Sequence, residues 1–367
     1  MKKCMVLFAV MVISWATYAQ DGKAGKIWYA DNMLYINVVE QGVLVIDNKN
    51  PRRPKKLGFI EIPGNIDIAI KDKVLYANNN EDLIALDISK IKKVSNKKVL
   101  TRFKGIFPQW GKGSDKIEWH EPTKKRWVSS SISVVSGSNS QGGSMASFTL
   151  EGDYLYTING KEIHTFDVSK PKKPECNNRP VPIKGDNIET VFSADGRLFI
   201  GAQKGLHIYG LENPTTPNHL GTYQHTQSCD PVVVEGNLAY ITLRDGTACN
   251  RAVNKVEVID ISNPQRPRRI SSANATHPHG LAVENQTMYL CDGRAGFKVV
   301  DASNPRRLRT VKRYEEVKNT YDVIALSNQK VLLMVGESEL IQYDYSDKFN
   351  LRKLSKITVD NEVIPQP

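Results

Sequence analysis

A short, β-branched run that usually ends in an acid recurs seven times and limits the folds open to this chain. The copies are Val43–Asp47, Leu83–Asp87, Ile163–Asp167, Leu206–Gly210, Val256–Asp260, Phe297–Asp301 and Leu340–Asp344. Their anchors lie 40, 80, 43, 50, 41 and 43 residues apart. Several copies run on into a proline turn: Asn50-Pro51, Asn213-Pro214, Asn263-Pro264 and Asn304-Pro305, with Lys170-Pro171 as a variant. Proline fixes φ and lacks an N–H, so it belongs in a connection and not inside a strand. Two apolar runs around a turn precede each copy, as Leu281–Val283 and Met288–Leu290 flank Asn285-Gln286. One more follows, such as Leu57–Ile60. Four short strands at a period of roughly 40–45 residues are one blade of a β-propeller. Period-2 runs outnumber helical ones, so a helical repeat is excluded.

Seven anchors predict an all-β, seven-bladed propeller of four-stranded antiparallel blades. The spacing of 80 contains an insertion, residues 105–143, because its turn-rich middle lacks the repeated run. The first blade opens with its own inner strand, Lys26–Tyr29, and the last closes near Leu354–Val359. Each blade is therefore expected from contiguous sequence, without a strand exchanged to close the ring. The length of 367 residues would by itself suggest about two domains, but the repeat makes 20–367 a single one.

These runs resemble the LVIVD-repeat family, and the resemblance extends over nearly the whole chain after the leader. Val43–Asp47 comes close to the name motif, and Asp260-Ile261-Ser262-Asn263-Pro264 gives its usual continuation. The resemblance implies a β-propeller and an exported bacterial protein, and it implies little about activity. Gly210 departs from the anchor acid, and the Asp87 and Asp344 copies lack the proline turn, which predicts looser outer hairpins there.

The chain begins as an export signal would. Lys2 and Lys3 precede an apolar stretch from Met5 to Trp15, and Ala16-Thr17-Tyr18-Ala19 follows. A basic start, a short apolar run and small residues describe a secretory signal peptide, residues 1–19. The expected location is periplasmic, cell-surface or extracellular. Cys4 sits ahead of the apolar run and is no lipid attachment site. No later stretch is a transmembrane segment.

Export permits disulfides. Antiparallel pairing would set Cys229 beside Cys249, and family members with a Cys-Asp-Pro sequence resemble this one there. A Cys229–Cys249 disulfide is the expectation, with fully reduced cysteines the alternative.

Blade topology sorts the charges onto two faces. Second connections and blade-to-blade links share one face, called top here. First and third connections share the bottom. The third connections hold a basic rim that includes Arg52, Arg53, Lys172, Lys173, Arg266, Arg268, Arg269, Arg306 and Arg307. With their neighbours they put 18 cations into five hairpins, in a chain of net charge +11. Such a rim is either simply solubilising or a docking face for an anionic surface. Nucleic acid is not an expected partner, because no binding motif for it is present.

The top mouth of the channel carries the candidate site. Counting back from the second strand of each blade puts Gly25, Ile66, Ala146, Glu189, Asp230, His279 and Asp322 at the channel entrance. Glu189, Asp230, His279 and Asp322 then form one arc, with His277 turned the same way as His279. Asp67 would join if the register slipped by one. Carboxylates and imidazoles converging there suit a small ligand, a divalent cation or acid–base chemistry. The plainer alternative is a water-filled polar entrance. No other cofactor is expected.

The insertion emerges on top and carries Trp110, Trp119 and Trp127, three of the five Trp in the chain. They suit either a ligand surface for a small molecule or glycan, or a lid packed over the channel. No nucleophile elbow, zinc-protease motif or phosphate loop appears. The reading is a monomeric, exported binding or interaction module, with a small molecule, glycan or envelope protein as partner. The rivals are a metal-assisted enzyme at the same mouth and an envelope scaffold using the basic rim.

Overall fold

A computed structural model describes residues 24–121, 147–183, 188–202, 205–225, 231–244, 254–317, 319–336 and 339–358. The leader, Trp127, Asp230, Cys229, Cys249 and the side chain of Glu189 lie outside the described set.

Seven antiparallel sheets follow one another along the chain, and in six of them the strands pair in sequence order from the axis outward. Blade one is Ala24–Ala30, Met33–Val38, Gly42–Asp47 and Lys55–Glu61, and blade two is Ile68–Lys71, Val74–Asn79, Asp82–Asp87 and Val99–Phe103. Blade three is Phe148–Glu151, Tyr154–Ile158 and Glu162–Asp167, with its outer edge split between Glu175–Cys176 and Val181–Pro182. Blade four is Ile188–Ala194, Arg197–Ala202, Gly205–Gly210 and Asn218–Gln224. Blade five is Val232–Glu235, Leu238–Leu243, Lys255–Asp260 and Arg268–Asn274. Blade six is Leu281–Glu284, Thr287–Cys291, Phe297–Asp301 and Arg309–Tyr314, and blade seven is Asp322–Leu326, Val331–Val335, Glu339–Asp344 and Arg352–Thr358. No blade borrows a strand to close the ring, as expected from the contiguous repeats.

The repeated run is mostly apolar because both faces of each blade are covered. Val43 and Val45 pack toward blade two, against the cluster of Ile68, Tyr76 and Ile84. Leu44 and Ile46, the alternate residues, pack toward blade seven, against Ile324 and Leu333. Between those two blades Asn48 and Gln342 exchange reciprocal amide bonds of 3.0 and 2.7 Å.

The anchor acid shapes the turn that follows it. Asp47, Asp87, Asp167, Asp260, Asp301 and Asp344 each accept the backbone N–H two residues on, at 2.8–3.0 Å. This local bond gives the chain an alternative to the strand ladder and ends the strand. In the proline turn, Asn50, Asn213, Asn263 and Asn304 repeat the device two residues on. The carbonyl of the turn then serves the neighbouring blade. Tyr76 donates to Pro171 O, Tyr156 to Pro214 O, Ser271 to Pro305 O and Ser355 to Pro51 O, at 2.5–3.0 Å. In blade four Gly221 takes the donor's place. A Cβ there would lie 2.2 Å from Pro264 O, so only glycine permits the approach.

Two sequence expectations change. The blade-seven hairpin is not loosened by losing its proline. Asp347 stands in for the turn Asn and accepts from the N–H groups of Phe349 and Asn350 at 3.0 and 3.2 Å. Blade two instead fills the same connection with two short 3-10 turns, Ile91–Lys93 and Asn96–Lys98.

The insertion also takes another course. It starts on top of blade two, where Phe107 N donates to Glu81 O at 2.8 Å and Asn79 and Asn80 both donate to Ser114 O at 3.1 Å. It then returns to blade one, where Glu118–His120 adds a fifth, outermost strand beside Lys55–Glu61. No helix of the described residues is long and apolar enough to cross a membrane.

Candidate functional site

The top mouth is built from charged residues held in place by backbone bonds. Counting from the anchor acids sets the level of each inner strand. Val331 pairs with Asp344, as Val74 pairs with Asp87 and Met33 with Asp47. Asp322 therefore shares its level with Lys26, Asp67, Ser147, Thr190, Pro231 and Gly280. Gly25, Ile66, Glu189 and His279 stand one residue nearer the top, and Asp230 lies outside the described residues. The count from the sequence sets Asp322 level with Gly25, Ile66, Ala146, Glu189, Asp230 and His279. Blade seven turns from Leu326 to Val331 through four residues where the others use two, and that displaces its count.

The observed register brings Lys26 and Asp67 to the level of Asp322. Both are buried, at 2% and 0% exposure, and they form a direct ion pair between blades one and two. Asp67 also accepts the N–H of Ile68 at 2.6 Å and of Ser147, on blade three, at 2.8 Å. Lys26 lies 5.3 Å from the Phe148 ring centre. Burial pulls the Lys26 amine well below its ordinary range, and the Asp322 carboxylate acts against that pull. Asp322 is itself fully buried and accepts the N–H of Val323 at 2.8 Å.

His277 and His279 continue the arc on blade six, and the structure brings the two rings together. His277 Nδ1 lies 3.0 Å from His279 Nε2. Asp292, paired with the buried Lys298, accepts the N–H groups of Thr276 and His277 at 3.0 and 2.9 Å and so fixes the segment from below. His279 donates its N–H to Cys291 O at 2.8 Å and accepts from Thr242 Oγ1 of blade five at 2.8 Å. Its ring meets Tyr321 of blade seven edge-on at 5.1 Å. Gly280 is required beside it, since a Cβ there would lie 1.9 Å from Asp322 Oδ1. Burial, then Arg244, then His277 push the His279 imidazole down to about 2. It is therefore a neutral hydrogen-bonding group at ordinary pH and not a proton donor.

Trp110 and Trp119 do not overhang this arc as the sequence suggested. Phe107 is buried between Trp110, at 4.6 Å, and Phe148, at 5.4 Å, so Trp110 caps the core at the top of blade three. Trp119 lies on the outer strand of blade one, its ring over Gly58. In both places apolar contact decides the position. Trp127 lies outside the described residues, as do Asp230 and the proposed Cys229–Cys249 pair. Among the described residues Cys176 and Cys291 are free thiols.

The basic rim is where the topology put it. Arg52, Arg53, Lys172, Lys173, Arg266, Arg268, Arg269, Arg306 and Arg307 are all exposed in the third connections or at the start of the strand that follows. Part of that charge is spent locally. Arg268 meets Asp260 at 3.1 Å, Arg309 meets Asp301 at 2.9 Å, Arg269 meets Glu257 at 2.9 Å and Lys172 meets Asp87 at 3.6 Å.

Lys26 is the site residue that the sequence reading missed. A single Lys beside Gly25, near a predicted cleavage point, gives no periodic signal. Its level shows only through strand pairing.

The pattern that defines the LVIVD repeat matches residues 228–274 and 279–316. Solved structures match across nearly the whole chain. A putative 6-phosphogluconolactonase from Bacteroides uniformis is 13% identical with a TM-score of 0.61, covering 94% of this chain and 99% of that one. The periplasmic gluconolactonase of Pseudomonas aeruginosa is 10% identical with a TM-score of 0.59, covering 92% and 97%. A protein from Lactobacillus plantarum is 9% identical with a TM-score of 0.62, covering 90% and 98%. At such identities the likeness is one of fold. No curated protein sequence matches the chain.

Proposed function

This chain is an LVIVD-repeat β-propeller, and from that premise we propose that it is an exported binding module that receives a small, polyhydroxylated molecule at the top mouth. One observation carries the reading: Lys26, Asp67, His279 and Asp322, from four consecutive blades around the ring, are all buried at one end of the channel. Burying charge is costly, and a structure that needed only blade packing would fill those positions with apolar side chains. Grouped donors and acceptors of both signs suit a ligand rich in hydroxyls. Export rests on the basic and apolar leader, Lys2 to Ala19.

The names of two structural neighbours supply a second reading. Gluconolactonases act on sugar lactones, and an enzyme of that kind would use the same mouth. His277 would then be the base, oriented by the neutral ring of His279 at 3.0 Å. Docking through the basic rim is the remaining reading, and it rests on the exposed cations gathered at one end.

Thermal unfolding of the full chain with a panel of sugars, aldonic acids and their lactones tests the first reading. A ligand of this class should raise the melting temperature of the wild type, and His277→Ala and Asp322→Asn should abolish the rise. No shift with any member would overturn it. Lactone hydrolysis lost in His277→Ala would establish the enzyme instead.

A further inference from the structure

Three side chains of metal-binding type converge away from the channel, where the insertion joins blade one. Glu61 ends the outer strand of blade one, and Glu118 lies directly opposite it on the added strand. His120 stands two residues on, opposite Phe59, so its side chain shares the face of Glu118. One ligand atom from each of the three lies within 4.8 Å of the others. His120 Nε2 is 2.9 Å from Glu61 Oε2, and both side chains are only 20% exposed.

Two arguments turn this convergence into a site. Like charges directly opposite across a strand pair destabilise it, and here they sit on the seam that holds a three-residue strand in place. Lys116 meets Glu118 at 2.7 Å, but both side chains are exposed, so the pair relieves the repulsion weakly. A cation held by both carboxylates relieves it fully. The backbone is also fixed beforehand. The Trp119 ring and His120 O press so closely on Gly58 that a Cβ there would lie 2.4 Å from each. That contact locks the added strand against blade one and sets the spacing of the three groups.

We propose that Glu61, Glu118 and His120 bind one divalent transition cation, zinc foremost, which staples the insertion to the edge of blade one. One imidazole and two carboxylates are a nitrogen–oxygen donor set suited to zinc, and three protein ligands leave a coordination position open. The position is distinct from the channel mouth and uses none of its residues.

The test is titration of the full-length, chelator-stripped protein with zinc chloride, followed by calorimetry and tryptophan fluorescence. One zinc per chain is expected, with Trp119 emission changing on binding. His120→Ala and Glu61→Gln should each weaken binding about tenfold or more. Glu118→Gln, at the most exposed of the three groups, gives the same answer if either of those variants folds poorly. His277→Ala should leave the affinity unchanged. No zinc uptake by the wild type would overturn the proposal. So would uptake lost in His277→Ala and kept in His120→Ala and Glu118→Gln.

Discussion

At the bottom of the ring the same acid recurs in six of the seven blades and makes the same bond in each. At the top mouth the matching positions are Lys26, Asp67, Ser147, Thr190, Pro231, Gly280 and Asp322, and no two neighbours are alike. A bond that every blade needs is repeated, because each hairpin must turn and each turn must meet the next blade. A binding surface has no reason to repeat. The contrast therefore separates what builds the ring from what the ring presents. It also sets two electrostatic regimes side by side: buried ions at the mouth, solvated ions at the rim.

The largest effect should come from breaking the buried pair. Lys26→Met leaves Asp67 and Asp322 buried without their cation, and removal of one partner of a buried pair costs about 3–5 kcal/mol. Asp301→Ala at the rim removes one turn bond and one exposed ion pair and should cost about 1 kcal/mol. Urea unfolding of the two variants measures both. Replacing the pair together, as Lys26→Met with Asp67→Leu, should recover much of the loss. Equal costs for Lys26→Met and Asp301→Ala would erase the distinction between the two ends.

The sequence made the repeating end readable and left the other obscure, for the same physical reason. Seven near-copies of one run, each followed by a turn acid or proline, expose blade number, strand order and the rim of Arg266, Arg306 and Arg307. The mouth is legible only through register. His277, His279 and Asp322 were found because they fall near the right count, while Lys26 was hidden by the four-residue turn of blade seven and by the lack of any pattern around Gly25. Trp119 misled because its side chain type suggested a ligand surface. Its position follows from strand pairing with Ile60, a long-range contact that no local pattern announces.

Acid should unfold the two ends at different pH. His279 is held neutral, with its imidazole pushed down to about 2 by burial, Arg244 and His277. Its ordinary value in the unfolded chain is about 6.5, so the unfolded state takes up the proton first. Stability from this group is full above about pH 6.5 and is lost as pH falls toward 2. Between pH 7 and 5 the loss amounts to about 2 kcal/mol. At the rim, bonds from Ser303 and Arg309 hold Asp301 down to about 2, and bonds from Ser346 and Arg352 do the same for Asp344. Carboxylates of that kind stabilise the fold above about pH 4 and lose their contribution only between about 4 and 2. His279→Gln should therefore flatten the stability profile between pH 7 and 5 and leave the lower limb intact. A slope unchanged by His279→Gln would mean that another group governs that limb.

The smallest effect on stability, and the sharpest test of the rim, comes from its exposed arginines. Changing Arg266, Arg306 and Arg307 to Ser should alter unfolding by no more than about 0.5 kcal/mol each, since surface positions of this kind carry little of the fold. Retention on an anionic polysaccharide matrix is the informative readout. If the rim is a docking face, the triple variant elutes at lower salt than the wild type, because long-range attraction between exposed charges is screened by ions. Arg268 and Arg309 supply the internal comparison. Each already faces an anchor acid, Asp260 and Asp301, and each such pair is close to neutral at a distance. Neutralising that pair of arginines should also release two acids, so retention falls through new negative charge while the turn loses a partner. The two variant sets therefore differ in stability as well as in retention. Elution that ignores salt, or that falls equally in a variant with cations removed elsewhere on the surface, would leave the rim with no more than a solubilising role.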